Sequence, residues 1–157
     1  MNHIEIVTSI KIASYTELSE ADQRLVDEAR TATLSSYAPY SKFCVGAAIA
    51  LDNGEIITGS NQENAAFPSG TCAERVACFY AHAKYPDAKF QTIAIAARTS
   101  DGAEITTPIS PCGSCRQALL EYEKLAGKEV RVILVGENDI IIAPSIKSLL
   151  PLAFSEF

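Results

Sequence analysis

Two short stretches carry residues that could do chemistry together. Gly70-Thr71-Cys72-Ala73-Glu74-Arg75 sets a thiol two residues ahead of a carboxylate, and Pro111-Cys112-Gly113-Ser114-Cys115 sets two thiols three residues apart. Three soft ligands and one carboxylate is the count of a catalytic zinc site, which keeps three protein ligands and leaves a fourth position for water; a structural zinc normally takes four. The open position is the feature that needs a chemical explanation.

Each stretch falls where a loop enters a helix. The spacing predicts helices from about Cys72 to Lys84, stopped by Pro86, and from Cys112 to Leu125, closed by Gly127. Two helix N-termini then converge on the metal, and their free N–H groups and positive dipole ends favour thiolate over thiol. Inside a regular helix Cys72 and Glu74 would point to nearly opposite sides, so both reach one metal only if Cys72 lies at the edge of the first turn, an entry that Gly70 permits. Cys112 and Cys115 share one helix face, and Pro111 is acceptable at a helix start, where its missing N–H is not needed.

A plainer reading makes the cysteines small buried residues of a reduced core. Pro before the pair, the Cys-Ala-Glu spacing and the two helix starts argue for metal instead. Cys78 and His82 are also one turn apart, but they lie inside a helix with no partner motif and read as packing. Glu74 could serve only as a first-turn carboxylate that meets the helix dipole; its closeness to Cys72 favours a catalytic role.

The elements that must position these residues follow from the rest of the chain. Residues 4–13 have the composition of an extended arm or strand. Ser19, with Asp22 three residues on, reads as the N-cap of an amphipathic helix carrying Leu25, Val26, Ala29 and Ala32 to about Ser36. Phe43 to Leu51 is an apolar run of strand length closed by the Asn53-Gly54 turn, with a return strand from Glu55 to Gly59. Residues 60–71 and 98–110 lack periodicity and read as loops. Phe90–Ala97, Val130–Val135 and Ile140–Ala143 read as strands, and Ser145–Leu150 as a short helix. This is an α/β alternation around one mixed sheet.

Composition sets the limits. A chain of 157 residues, 48% hydrophobic, buries one core, so residues 1–157 read as a single domain. The net charge is −6 and the Lys and Arg residues are scattered, which argues against a nucleic-acid partner. No apolar run has the length of a membrane span, and the start lacks the charged and apolar regions of a signal peptide, so the expected location is the cytoplasm. Five cysteines are an odd number for a disulfide framework.

The combination TCAER and PCGSCRQ resembles the zinc-dependent cytidine deaminase superfamily in its three-cysteine form. The resemblance continues through SYAPYSKFCVGAA, the NQENAAFPSG loop and the terminal LLPLAF, and so covers most of residues 36–154; residues 1–15 extend beyond it with no assigned role. It implies a three-layer α/β/α fold with a five-stranded mixed sheet and a homotetramer of the small free cytidine deaminase type. It also implies one zinc per chain on Cys72, Cys112 and Cys115, with Glu74 shuttling protons as a metal-activated water displaces ammonia from C4 of cytidine or 2′-deoxycytidine. Arg75 then donates to a ligand thiolate and offsets the negative charge of three sulfurs. Asn61 and Glu63 match the ribose-binding pair, Phe43 the ring against the pyrimidine, Ala73 a substrate-contacting position, and Phe154 a ring that reaches a neighbouring subunit. Without the resemblance, Asn61 and Glu63 read as turn and solvated loop residues and Phe43 as core.

A carboxylate at Glu63 beside a sugar hydroxyl would repel a phosphate there, which favours free nucleosides. Phe67 stands where this family commonly has Tyr, and Gln62 where an aliphatic residue is usual. Two other functions remain at this level. A blasticidin-type aminonucleoside deaminase would lack the Asn-x-Glu-Asn motif, and a structural zinc module would need a fourth protein ligand.

Overall fold

The computed structural model describes residues 1–155. In chain order its elements are β1 (Lys11–Ala13), α1 (Glu20–Ala32), β2 (Phe43–Leu51), β3 (Ile56–Ser60), α2 (Ala73–Lys84), β4 (Phe90–Thr99), α3 (Gly113–Ala126), β5 (Arg131–Val135) and β6 (Ile140–Ala143). The strands form one mixed sheet in the order β1-β6-β5-β4-β2-β3, parallel only between β4 and β5. The sheet therefore has six strands where five were expected. The additional one is the end of the N-terminal arm: Lys11, Ile12 and Ala13 pair antiparallel with β6, whose outer edge would otherwise carry unpaired backbone groups. The expected short helix near the C-terminus is a single 3-10 turn, Lys147–Leu149.

The central strands are apolar along their whole length because both faces are covered. Ala47, Ile49, Ile93, Ile95, Val132 and Leu134 pack on the side of α2 and α3, while the alternate residues Ala48, Ala94, Ala96, Ile133 and Val135 meet α1 through Leu25, Val26 and Ala29. The first helix starts as its sequence predicts, with the Ser19 hydroxyl accepting from the Asp22 N–H. Two glycines set how closely the helices press on the sheet. A Cβ at Gly46 would lie 2.2 Å from the Ala29 carbonyl oxygen of α1, and one at Gly59 would lie 2.5 Å from the Ala77 nitrogen of α2. Gly54 in the β2–β3 turn and Gly127 at the end of α3 have positive φ, as tight turns and helix ends require.

Strand direction decides where the chemistry is placed. β3 and β4 both run antiparallel to β2, so they point the same way. The helices that follow them, α2 and α3, consequently begin at the same end of the sheet, where ligand sites of open α/β sheets form. Among the described residues no helix is long and apolar enough to cross a membrane.

Candidate active site and metal centre

Cys72 and Cys112 are the N-cap residues of α2 and α3, each with extended backbone (φ −70°, ψ 152° and φ −64°, ψ 162°). This is how Cys72 and Glu74, only two residues apart, come to one side: Cys72 lies just outside the helix and Glu74 within its first turn. Gly70 has φ −66°, so its contribution is space and not a left-handed conformation; a Cβ there would stand 3.3 Å from the carbonyl oxygens of Gln62 and Phe67. Cys115 is buried one turn into α3. The three sulfurs lie within 4.8 Å of one another, and the Cys112 and Cys115 sulfurs are 3.5 Å apart. A tetrahedral zinc with Zn–S bonds of about 2.3 Å sets its sulfurs about 3.8 Å apart, so this donor set fits one ion with little movement.

The electrostatics agree with that use. The hydrogen bond from Cys115, with help from Arg75 and Cys112, brings the Cys72 thiol down to about 5, while the same partnership and burial push Cys115 up. Metal binding to cysteines displaces their thiol protons. Arg75 Nη2 is 3.7 Å from the Cys72 sulfur. Glu74 is 4% exposed, and burial, then the neighbouring Cys72 charge, raises its carboxyl above the usual range. A carboxyl with that tendency is suited to carrying a proton between steps.

A cavity of about 520 Å³ opens beside Cys72 and includes Asn61, Gln62, Glu63, Tyr40 and Phe67 in its wall. Asn61 is largely committed to the protein. Its Oδ1 accepts from the Val45 N–H at 2.8 Å and from the Ser36 hydroxyl, and its Nδ2 donates to the Phe43 carbonyl at 2.9 Å, leaving one amide hydrogen for another partner. Glu63 accepts from the Tyr40 N–H at 2.8 Å and from the Ser41 N–H. Serine 41, burial opposing it, and these N–H groups hold its carboxyl below the usual range, so it is an ionised acceptor. Gln62 donates to the Ser60 hydroxyl and the Ser35 carbonyl, tying this loop to the end of α1. Phe67 meets Tyr40 edge to face at 5.9 Å.

The other predicted residues are placed as follows. Ala73 is buried at the start of α2. Phe43 is the half-buried first residue of β2, outside the lining of this cavity. Phe154 is exposed, and its carbonyl accepts from Gln117 Nε2 at 2.8 Å, which fastens the C-terminal segment to the metal helix α3. Cys78 is buried and pushed up to about 12 by desolvation, and His82 packs its ring against Tyr122, so that pair is core packing. Sequence reasoning missed the clamps around the loop: Ser36, Val45 and the Tyr40 and Ser41 N–H groups. It also missed Arg116, which donates to the Pro111 and Leu149 carbonyls and steadies the loop before Cys112. The Ser-Tyr-Ala-Pro-Tyr-Ser run before β2 was the available signal, but its contacts are mostly backbone.

Comparison with known proteins leads to the same chemistry. Residues 19–133 match the family described as the cytidine and deoxycytidylate deaminase zinc-binding region. The chain is 38% identical over 133 residues to a cytidine deaminase of Halalkalibacterium halodurans, covering 85% of this chain and 93% of that one. It is 37% identical over 134 residues to one from Sporosarcina psychrophila, covering 85% and 91%. The crystal structure of cytidine deaminase from Burkholderia pseudomallei superposes with a TM-score of 0.71 at 34% identity, covering 87% of this chain and all of that one. With its three sulfurs at two converging helix starts and a buried glutamate beside them, the chain belongs to the zinc-binding cytidine deaminase family.

Proposed function

We propose that this protein hydrolyses cytidine and 2′-deoxycytidine to the corresponding uridines and ammonia, in the cytoplasm and as a homotetramer. The observation that carries the reading is the buried Glu74 beside a three-sulfur cluster whose member Cys72 opens onto the cavity shared with Asn61 and Glu63. Zinc held on Cys72, Cys112 and Cys115 supplies the Lewis acidity that brings the pKa of water near neutrality. Glu74 takes one proton from the attacking water and hands it to the pyrimidine ring nitrogen N3, then takes the second from the new C4 hydroxyl and delivers it to the amino group, so that the C4–N bond breaks, ammonia leaves and the C4 oxygen becomes a carbonyl. Arg75 offsets part of the negative charge of the sulfurs through Cys72.

The remaining Asn61 amide hydrogen and the free lone pairs of Glu63 suit one sugar hydroxyl, as donor and acceptor. The ionised Glu63 disfavours a phosphate at that hydroxyl, and the negative net charge disfavours nucleic acid as substrate. Phe43 is assigned to the pyrimidine face, Ala73 to a substrate contact, and Phe154 to the site of a neighbouring subunit. The cluster has three members among the described residues, which supports an open coordination position over a structural zinc module. The test is a panel of cytidine, 2′-deoxycytidine, cytosine, cytidine monophosphate and blasticidin S, followed by absorbance with zinc-loaded protein. Turnover confined to the two free nucleosides is expected. No turnover of either refutes the reading, and turnover of blasticidin S alone replaces it.

A further inference from the structure

The N-terminal arm lies outside the candidate site, and the family match begins only at residue 19. Its sequence Ile4-Glu5-Ile6-Val7-Thr8-Ser9-Ile10-Lys11-Ile12 has isoleucine at every second position except Thr8, and the isoleucines, though not Val7 and Ser9, are placed symmetrically about Thr8. Only Lys11–Ala13 is strand in this structure; were the arm extended from Ile4 to Ile12 as a strand, the row would line one face. Ile4, Ile6, Ile10 and Ile12 are 82%, 54%, 49% and 69% exposed, with Ile6 beside the groove along the C-terminal segment. β1 is the edge strand of the sheet, paired with β6 on one side and with no strand on the other. The Thr8 hydroxyl donates to the Ser148 carbonyl at 2.9 Å, which holds the arm along the body of the protein. Soluble proteins usually blunt such edges with proline or charge; this one has no proline, and its one charge is Lys11.

We infer that the arm is the contact surface for a second copy of this chain, two arms pairing antiparallel about a two-fold axis through Thr8. In that register Ile4 of one copy lies opposite Ile12 of the other, Ile6 opposite Ile10, and Glu5 opposite Lys11. Both apolar and charged positions are satisfied twice, as an isologous contact demands. Moving the axis to Val7 or Ser9 sets Thr8 against an isoleucine and separates Glu5 from Lys11. A parallel arrangement in register sets Glu5 on Glu5. The four isoleucines expose roughly 500 Å² per copy, a patch size that marks interaction sites. No residue of the arm lines the cavity beside Cys72, so the contact stands apart from the deaminase reading.

Disulfide trapping in the full-length, zinc-loaded chain tests this contact. Directly opposed residues of antiparallel strands have Cα atoms about 4.5–5.5 Å apart, within disulfide reach, so Thr8→Cys is expected to give a covalent dimer on a non-reducing gel and Asn2→Cys is not. Adding Glu5→Lys or Lys11→Glu to Thr8→Cys replaces two opposite-charge pairs with like-charge pairs and should lower the yield about tenfold. Mixing the two reversed proteins, or combining both reversals in one chain, should restore it. The proposal is overturned if Thr8→Cys gives no dimer, if it gives no more than Asn2→Cys, or if charge reversal leaves the yield unchanged. Circular dichroism and thermal melting of each variant confirm that it is folded before trapping.

Discussion

Asn61 combines two duties that substitution can separate, a clamp on its own loop and a contact for the sugar. Asn61→Ala removes three hydrogen bonds, from the Val45 N–H, from the Ser36 hydroxyl and to the Phe43 carbonyl. At a net of about 1 kcal/mol each, with the half-buried Val45 N–H left unpaired, the loss comes to roughly 3–4 kcal/mol. For a domain of this size each kcal/mol moves the Tm by about 2–4 °C, so a fall of about 10 °C is expected. Glu63→Gln is the contrasting variant. Its group is only partly buried and a carboxamide oxygen still accepts from Tyr40, so the Tm should stay within about 2 °C while the KM for cytidine rises about tenfold as the charge-assisted bond is lost. Thermal melts at one protein concentration, paired with initial rates, give both readouts. An Asn61→Ala protein that melts within about 2 °C of the parent would refute the clamp.

Three further expectations follow from the packing and the charges. Gly59→Ala forces a Cβ to within 2.5 Å of the Ala77 backbone nitrogen, so α2 must shift with Cys72 and Glu74, and denaturant titration should show a loss of about 1–3 kcal/mol; a neutral result would mean that α2 is not pressed on β3. Arg75→Gln removes the donor to Cys72, so kcat should fall and zinc affinity weaken; unchanged values in a metal titration and a rate assay would return Arg75 to a surface-charge role. The Glu63 carboxyl is held below its ordinary value of 4.5, so it stays ionised as pH falls, and its contribution is lost only below that value. The Kd for uridine, which carries the same ribose, should hold from pH 7 to about pH 5, and weakening that begins near pH 6 would show an unshifted or raised carboxyl.

The metal site was legible because its signal is local. Cys72, Glu74, Cys112 and Cys115 declare themselves by spacing and by their position at helix starts, and the structure sets both helices within a residue of the expected limits. The α1 face was equally readable, since Leu25, Val26, Ala29 and Ala32 recur at helical period and all are buried. The sixth strand was legible only in part: residues 4–13 read as an arm or strand, but that just its last three residues pair, and with β6, depends on an edge more than a hundred residues away. Asn61 was hidden for the same reason: its partners Ser36, Phe43 and Val45 come from distant parts of the chain, and two of the contacts use backbone atoms that any side chain would provide. Gly70 showed the opposite limit, since a glycine kept for space and one kept for a left-handed turn look the same in sequence.

The central claim, that the open position at the three-sulfur cluster is a reaction site served by Glu74, is tested most directly by zinc content and cytidine turnover in Glu74→Gln. Removing a general acid–base group costs about 10²–10⁴ in rate, so the variant should keep one zinc per chain and lose at least about 100-fold in kcat. Turnover within a few-fold of the parent, with zinc retained, would contradict the account.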